Sequence, residues 1–314
     1  MMTFDEFENE VKNTVKDYLP DEYKDANVSI KPVSKIGMKY DSLTVRFKEQ
    51  SASPAANLNS FYKDYENGTP FDEIMSGIAD VIQIKAPENM KNMSWLLDYE
   101  QAKKHLYIRV CNADKNKDII NKAPHKIIED LVITCHVAVD ITEHGLASTI
   151  VNNELLEHWG VSSKQVFDDS MESSPKVMPV MIDTLLNEIS KIKPDAISDE
   201  TRHDEDSSGE DILLVSNVTK VNGASALFYP GVLEELGMRI KNDYLILPAS
   251  TNEVIIMPDS HDYKSLERLV VDTNKNMVPE NEQLSDHIYR YSIKEKLFER
   301  IDKFEERINE KEVS

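Results

Sequence analysis

Residues 131–140, LVITCHVAVD, and residues 105–111, HLYIRVC, carry apolar side chains at every second position. Successive side chains of a β-strand point to opposite faces of a sheet, so this alternation predicts two strands, each with one apolar face. On the longer strand, Cys135 joins the apolar face and His136 lies on the opposite one. The two strands therefore predict a sheet with one face in a packed core.

The opposite face of the same two strands carries polar side chains and is our candidate site. If the strands pair, these side chains lie close together and supply acid, base and anion-binding groups. The candidate residues are His105, Tyr107, Arg109, His136 and Asp140. The alternative is a solvent-facing surface, because an antiparallel sheet often has one wet face.

The rest of the chain alternates between strand and helix patterns, which predicts an α+β fold of antiparallel sheets with packed helices. Thr3 and Glu6 have the spacing of a capping box ahead of a first amphipathic helix. Further strands are predicted at 28–35, 41–47, 212–218, 244–250, 253–260 and 285–292. Further helices are predicted at 57–68, 70–83, 152–160, 162–170, 180–192, 223–237, 261–274 and 293–308.

A strongly acidic segment divides the predicted fold into two units. Residues 195–211 hold eight acidic residues in seventeen and almost no apolar periodicity, which is typical of a solvated linker. We therefore predict an N-terminal α+β unit at 1–194 and a C-terminal α+β unit at 212–314. The order βαββαβ in the second unit suggests a ferredoxin-like arrangement, and its terminal amphipathic helix packs on its own unit or on a second copy.

Composition limits the classes of partner. The chain has 314 residues, 57 of them acidic and 36 basic, with a formal net charge of −21. This charge opposes approach to nucleic-acid phosphates and anionic membranes, so neither is an expected partner. The acidic start, MMTFDEFENE, lacks the pattern of a signal peptide, and two cysteines are too few for a disulfide framework. We expect a cytoplasmic protein.

No motif predicts a cofactor or a metal. The nine glycines form neither a phosphate loop nor a dinucleotide fingerprint. Asp114, Asn116 and Asp118 match three positions of a calcium loop, but the glycine and the closing glutamate that such a loop requires are missing. Thiolate and imidazole groups suit zinc, but the four candidate side chains lack the paired spacing of a zinc site, so none is predicted. These side chains are Cys111, Cys135, His136 and His144.

A longer stretch carries a family resemblance. Residues 227–260, LFYPGVLEELGMRIKNDYLILPASTNEVIIMPDS, together with residues 152–175 and 61–68, resemble an uncharacterised bacterial family known only as a domain of unknown function. The resemblance covers nearly the whole chain. It implies a bacterial cytoplasmic protein, typical of gut-dwelling Gram-positive anaerobes, and it supplies no catalytic residues.

Three functional hypotheses follow. The first is a non-catalytic module that binds a protein partner, with a second copy through the C-terminal helix as one candidate. The second is an enzyme whose site assembles from residues distant in sequence. The third is an acidic inhibitor that imitates nucleic acid.

Overall fold

A computed structural model describes residues 1–47, 53–84, 93–142, 145–193 and 212–313. It confirms the α+β class, because helices pack with three antiparallel sheets. The chain divides into two compact units, Met1–Ser94 and Trp95–Ser314. None of the helices in the described ranges is long and apolar enough to cross a membrane.

The described residues of the first unit form a three-stranded sheet and three α-helices. Its helices are α1 (Phe4–Thr14), α2 (Leu58–Glu66) and α3 (Phe71–Gln83), and its strands are β1 (Asn27–Lys35), β2 (Met38–Arg46) and β3 (Ala55–Asn57). The sheet order is β1-β2-β3. The predicted capping box is confirmed, because the Thr3 side chain accepts from the backbone of Glu6 and Glu6 reaches back to the Thr3 backbone. Phe7, Val11 and Ile78 lie in the core of this unit.

The second unit begins with a four-stranded sheet built around its longest strand. The strands are β4 (Leu106–Asn112), β5 (His125–Ile128), β6 (Leu131–Thr142) and β7 (Gly145–Ile150). The central strand β6 pairs with β4 on one edge and with both β5 and β7 on the other. The accompanying helices are α4 (Tyr99–Ala102), α5 (Lys117–Ile120), α6 (Asn153–Trp159) and α7 (Ser163–Val177).

A six-stranded sheet follows in the same unit, with the order β13-β12-β10-β11-β9-β8. Its strands are β8 (Val180–Thr184), β9 (Leu213–Asn217), β10 (Tyr244–Pro248), β11 (Val254–Pro258), β12 (Tyr289–Ser292) and β13 (Leu297–Arg300). Its helices are α8 (Leu185–Ile192), α9 (Val232–Ile240), α10 (Tyr263–Asn276) and α11 (Ile301–Val313). A ferredoxin-like sheet is also antiparallel, but its fourth strand lies beside its first. Here β12 pairs with β10, and β9 lies between β11 and β8, so the strand order is not that of a ferredoxin-like unit.

The division into units differs from the predicted one. The acidic segment 195–211 lies outside the described residues, but β8 before it pairs with β9 after it. Ile108 and Val137 of the four-stranded sheet share one hydrophobic cluster with Val215 and Ile246 of the six-stranded sheet. The continuous sheet and core therefore join both sides of that segment within the unit Trp95–Ser314.

Two predicted helices are partly strand. Residues 180–184 form β8, and helix α8 begins only at Leu185, after its N-cap Thr184. The predicted terminal helix begins at Ile301, because residues before it form the hairpin of β12 and β13. Ile301 and Phe304 of this helix pack on the apolar cluster of their own unit.

Candidate functional site

The structure brings three of the five predicted site residues together. β4 and β6 pair as the hypothesis required, with Tyr107 opposite His136 and Arg109 opposite Thr134. The rings of Tyr107 and His136 lie 5.5 Å apart between centroids. The face is not the wet surface of the alternative interpretation, because Tyr107, Thr134 and His136 are all buried. We call Tyr107, Arg109, Thr134 and His136 the polar face.

Asp140 and His105 lie elsewhere. A β-bulge between Ala138 and Asp140 shifts the register, so Asp140 pairs with Ala147. Asp140 therefore lies on the face of the sheet opposite to that of Ser148. One inserted residue moves the following side chains to the opposite face. His105 ends a short 3-10 turn before β4, and its ring lies 4.8 Å from that of Trp95.

Hydrogen bonds fix the polar face internally. The Tyr107 hydroxyl donates to Ser148 Oγ at 2.9 Å, and Thr134 Oγ1 donates to the backbone carbonyl of Arg109 at 3.3 Å. Thr134 Oγ1 also lies 3.0 Å from Nε2 of His136. Thr134 has one hydroxyl hydrogen, so if it serves the carbonyl, Nε2 of His136 is the donor and Nδ1 keeps the lone pair.

Arg109 is the feature of this face that its surroundings do not satisfy. Among the described residues, its buried Nε has no hydrogen-bond partner, although the residue as a whole is partly exposed. Its side chain also makes no ion pair within the same ranges, although the chain has 57 acidic and only 36 basic residues. Burial lowers the pKa of Arg109, yet a guanidinium stays charged in proteins. A buried charge without a partner is costly, so this arginine requires an explanation.

The neighbours of Arg109 are neutral near pH 7. Burial, and then the charge of Arg109, hold the pKa of His136 well below its usual range. Burial raises the pKa of the Cys111 thiol to about 12 and also raises that of the Tyr107 hydroxyl. Among these residues the guanidinium is therefore a lone positive charge.

A second unsatisfied group lies in the segment beside β4. The hydroxyl of Tyr229 is buried, and no residue in the described ranges forms a hydrogen bond with it. Burial raises the pKa of Tyr229, with a further contribution from Tyr107. Tyr107 also interacts electrostatically with Arg109. Tyr107 is thus within electrostatic reach of both unsatisfied groups.

The segment before Tyr229 is tied to the free edge of β4. It is a 3-10 helix, Gly223–Phe228, and its Ser225 Oγ accepts the backbone N–H of Val110 at 2.9 Å. A Cβ on Gly223 would lie 2.4 Å from the carbonyl oxygen of Asn252, so only glycine permits this approach. The hydrogen bond to β4 therefore fixes the backbone position of the 3-10 helix that Tyr229 follows.

A serine of α7 satisfies the same edge. Ser174 Oγ accepts the backbone N–H of Ile108 at 2.9 Å and donates to the carbonyl of Ser170. Without Ser174 and Ser225, two N–H groups of a buried edge strand would lack an acceptor. These two serines are called the edge serines below.

Several members of this neighbourhood were not predicted. His125 of β5 lies opposite Thr134, on the far side of β6 from Arg109, and its Nδ1 lies 3.0 Å from the carbonyl of Ala123. Ser148 would follow from the register of the β6–β7 hairpin, had the bulge been known. No sequence signal points to Tyr229, because its position depends on a contact between distant segments.

The described residues among those considered for a metal from sequence are Cys111, Cys135, His136 and Asp114, and they do not converge on one point. Cys111 pairs across the ladder with Val132 and Cys135 with Ile108, so the two thiols lie on opposite faces of the sheet. Asp114 forms a surface ion pair with Lys117 at 2.7 Å. His144 lies outside the described residues, and within the described ranges no cluster of His, Cys, Asp and Glu fits a metal ion.

Fold and site define an α+β protein with an internal polar sheet face and an arginine that forms no ion pair with the residues the structure describes. The chain belongs to the family of unknown function DUF5688, whose family model matches residues 4–293. This membership confirms the resemblance to a domain of unknown function, and it assigns no role to any residue. Neither the curated proteins nor the solved structures contain a match to the chain.

Proposed function

We propose that the chain is a non-catalytic binding module that captures a carboxylate group at Arg109. The observation that supports this proposal is that Arg109 is a partly exposed residue whose buried Nε has no partner among the described residues. Carboxylate oxygens at the Nη atoms would form the charge-assisted hydrogen bonds that arginine makes with carboxylates. Binding would give the guanidinium the counter-charge that the described residues do not supply.

Charge favours a carboxylate over a phosphate. The guanidinium is the only positive charge among the residues of the polar face, because His136 is held neutral by burial and by Arg109 itself. A carboxylate balances one positive charge, whereas a phosphate dianion would leave an excess negative charge in a partly desolvated site. Such an excess is also unfavourable in a chain with a net charge of −21.

Chemistry at the site favours recognition over turnover. The Nε2 of His136 is engaged with Thr134, and the imidazole is buried among groups that do not change charge near pH 7. The enzyme hypothesis needs a proton acceptor in reach of a reacting group. It remains the alternative, with Nδ1 of His136 as its candidate base.

A protein partner fits the same proposal, if it presents the carboxylate of a chain terminus or an acidic side chain. The bacterial, cytoplasmic setting belongs to the proposal as well. It is supported by the family resemblance and by two buried free thiols, Cys111 and Cys135. Contact with a second copy through α11, and imitation of nucleic acid, have no comparable support in the contacts described above.

The test follows the side-chain Nε–H resonance of Arg109 by ¹⁵N NMR, identified by its loss in Arg109→Lys. Acetate, benzoate and a short peptide with a free C-terminus are titrated separately, and the same peptide with an amidated C-terminus is the control. We expect saturable movement of this resonance for carboxylates and none for the amidated peptide. Arg290, which is bonded to Asp243 and Asp259, supplies an internal reference resonance that stays fixed.

The small acids and the peptide distinguish two possible sources of the carboxylate, a small molecule and a protein partner. Response to benzoate or acetate alone identifies a small-molecule site, and response to the free peptide alone identifies a protein partner. If no carboxylate moves the resonance at millimolar concentrations, or if the amidated peptide moves it equally, the proposed function is wrong.

A further inference from the structure

The three-stranded sheet of the first unit has two chemically different faces. Leu43 and Val45 of β2 lie in the core cluster that also contains Phe7 of α1, so these side chains define the face that packs on helices. Because side chains alternate between the faces of a sheet, the intervening residues lie on the second face. Ser29 and Thr44 belong to that second face, and their hydroxyl oxygens lie 2.9 Å apart across β1 and β2.

Three basic residues of β1 and β2 lie on the second face, and we call Lys31, Lys35 and Arg46 the basic stripe. All three side chains are exposed. Arg46 pairs with Asn27, so the three cations stand at levels of the ladder that are four residues apart. With a rise of about 3.3 Å per residue, successive cations are separated by about 13 Å along the strand direction.

No carboxylate of the three described strands shares the face of the basic stripe. Asp41 is the one acidic residue in these strands, and it lies on the helix-packed face with Leu43. Burial, and then the charge of Asp41, raise the pKa of Glu8 on α1, which agrees with this placement. Lys24 forms an ion pair with Asp21 at 2.8 Å, whereas no described residue forms an ion pair with a member of the basic stripe. The stripe is therefore a positive surface without local counter-charge.

We infer that the basic stripe binds an extended, acidic segment of a partner protein. In an extended chain, residues four apart point to the same side and are also about 13 Å apart, so carboxylates at every fourth residue would each meet one cation. The hydroxyls of Ser29 and Thr44 lie at the level between two of the cations and can form hydrogen bonds with such a segment. The inference is independent of the site at Arg109, because the stripe belongs to the unit Met1–Ser94.

The spacing of the cations favours a polypeptide over a nucleic acid. A strand of duplex DNA carries one phosphate per about 3.4 Å, so the stripe would neutralise only about one phosphate in four. The other phosphates would remain uncompensated beside a chain with a net charge of −21. An acidic segment with one carboxylate per cation leaves no such excess.

The test is an NMR titration of the full chain that follows the backbone amide resonances of β1 and β2. The probe is a peptide of serine and threonine with three glutamates, one at every fourth position, acetylated and amidated so that only side-chain carboxylates are present. A peptide of the same composition with its three glutamates in succession is the control. We expect saturable movement of these resonances, with the spaced peptide bound about threefold more tightly than the control or better.

Two variants of equal net charge show whether the stripe itself is the binding site. The stripe variant carries Lys31→Gln, Lys35→Gln and Arg46→Gln. The control variant neutralises three exposed lysines of the same unit outside the stripe and carries Lys12→Gln, Lys24→Gln and Lys63→Gln. The dissociation constant of the spaced peptide should rise about tenfold or more in the stripe variant, as expected for the loss of three exposed ion pairs, and stay within about twofold in the control variant.

Several outcomes would overturn the inference. It is wrong if the stripe variant binds the spaced peptide as well as the wild type does, if the two peptides bind equally, or if neither moves the resonances at millimolar concentrations. Tighter binding of a single-stranded oligonucleotide, lost in the stripe variant, would assign the face to nucleic acid instead. The wild type supplies a readout without substitution, because its affinity for the spaced peptide should fall severalfold between about 0.05 M and about 0.5 M salt. An affinity that does not change with salt contradicts the ion pairs.

Discussion

Replacing Arg109 by methionine is expected to stabilise the unit Trp95–Ser314, against the usual trend for substitutions at buried positions. Methionine retains an unbranched stem of similar reach and removes the charge. Relief of the unpaired Nε contributes about 1–3 kcal/mol. Loss of the favourable long-range attraction between Arg109 and a chain with net charge −21 offsets roughly a few tenths of a kcal/mol of this gain at physiological salt. The net gain is about 1–2 kcal/mol in the free energy of unfolding.

Urea unfolding measured by tryptophan fluorescence is suited to this question. The chain has two tryptophans, Trp95 and Trp159, and both belong to the unit that contains Arg109. With a denaturant slope of about 3 kcal/mol per molar, typical of larger domains, the midpoint should rise by about 0.5 M. Arg109→Lys, which keeps a charge at the same place, should show little or none of this gain.

Arg290→Met provides a control in the opposite direction. The Arg290 guanidinium contacts Asp259 at 2.9 Å and Asp243 at 2.6 Å, with only 13% of its side chain exposed. Removing one member of a buried charge network leaves the others uncompensated and costs about 3 kcal/mol. If Arg109→Met instead lowers the free energy of unfolding by about 1 kcal/mol or more, the guanidinium has an internal partner and the basis of the proposed site is refuted.

Three further predictions concern the same unit. The hydrogen bond from Lys191 is the main cause that lowers the pKa of Asp183 to about 2. The stabilisation by this carboxylate should therefore be complete above pH 4 and be lost as the pH falls from 4 toward 2. The difference in unfolding free energy between wild type and Asp183→Asn, up to about 2 kcal/mol, should shrink through this range. Ser225→Ala leaves the N–H of Val110 without an acceptor and should cost about 1–3 kcal/mol in urea unfolding, whereas a neutral result would show that another group replaces the serine. Both free cysteines have thiol pKa values raised to about 12 by burial, so a thiol reagent at pH 8 should label them only after denaturation; rapid labelling of the native chain would contradict their burial.

The β4 and β6 strands could be predicted from sequence because the period of two maps directly onto the faces of a sheet. The same rule failed at Asp140, since it assumes that each residue occupies one place in the ladder. The bulge after Ala138 inserts an extra residue, and no residue type in the segment marks it. Tyr107, Arg109 and His136 therefore share the face that the alternation predicted, whereas Asp140 lies on the opposite face and His105 precedes the strand.

Non-local pairing explains the larger errors. Residues 180–184 form a strand because they pair with β9 beyond the acidic segment, which no local pattern reveals. One local signal was present, because Thr184 caps the helix that follows by accepting the N–H of Asn187. Likewise, apolar residues from 293 to 308 repeat at helical intervals, but residues 293–296 form a turn and pairing with β12 makes Leu297–Arg300 a strand.

The unpaired groups were beyond the sequence for a different reason. Arg109 was predicted as a member of a polar face, but its lack of a counter-charge is a property of everything around it. The turn before Tyr229 lies more than 100 residues away from β4 along the chain, and the bond between Ser225 and Val110 brings it to this strand. Unsatisfied polar groups become visible only when all neighbours of a position are known.

The edge serines have a consequence for how the protein behaves at high concentration. An open strand edge is a template on which another chain can add a strand, and that is a common route to aggregation. On β4 the hydroxyls of Ser174 and Ser225 occupy the N–H groups of Ile108 and Val110, which such an incoming strand would need. The fold thus protects this edge with side chains of distant segments, and loss of both hydroxyls would turn an internal strand into a starting point for fibre growth.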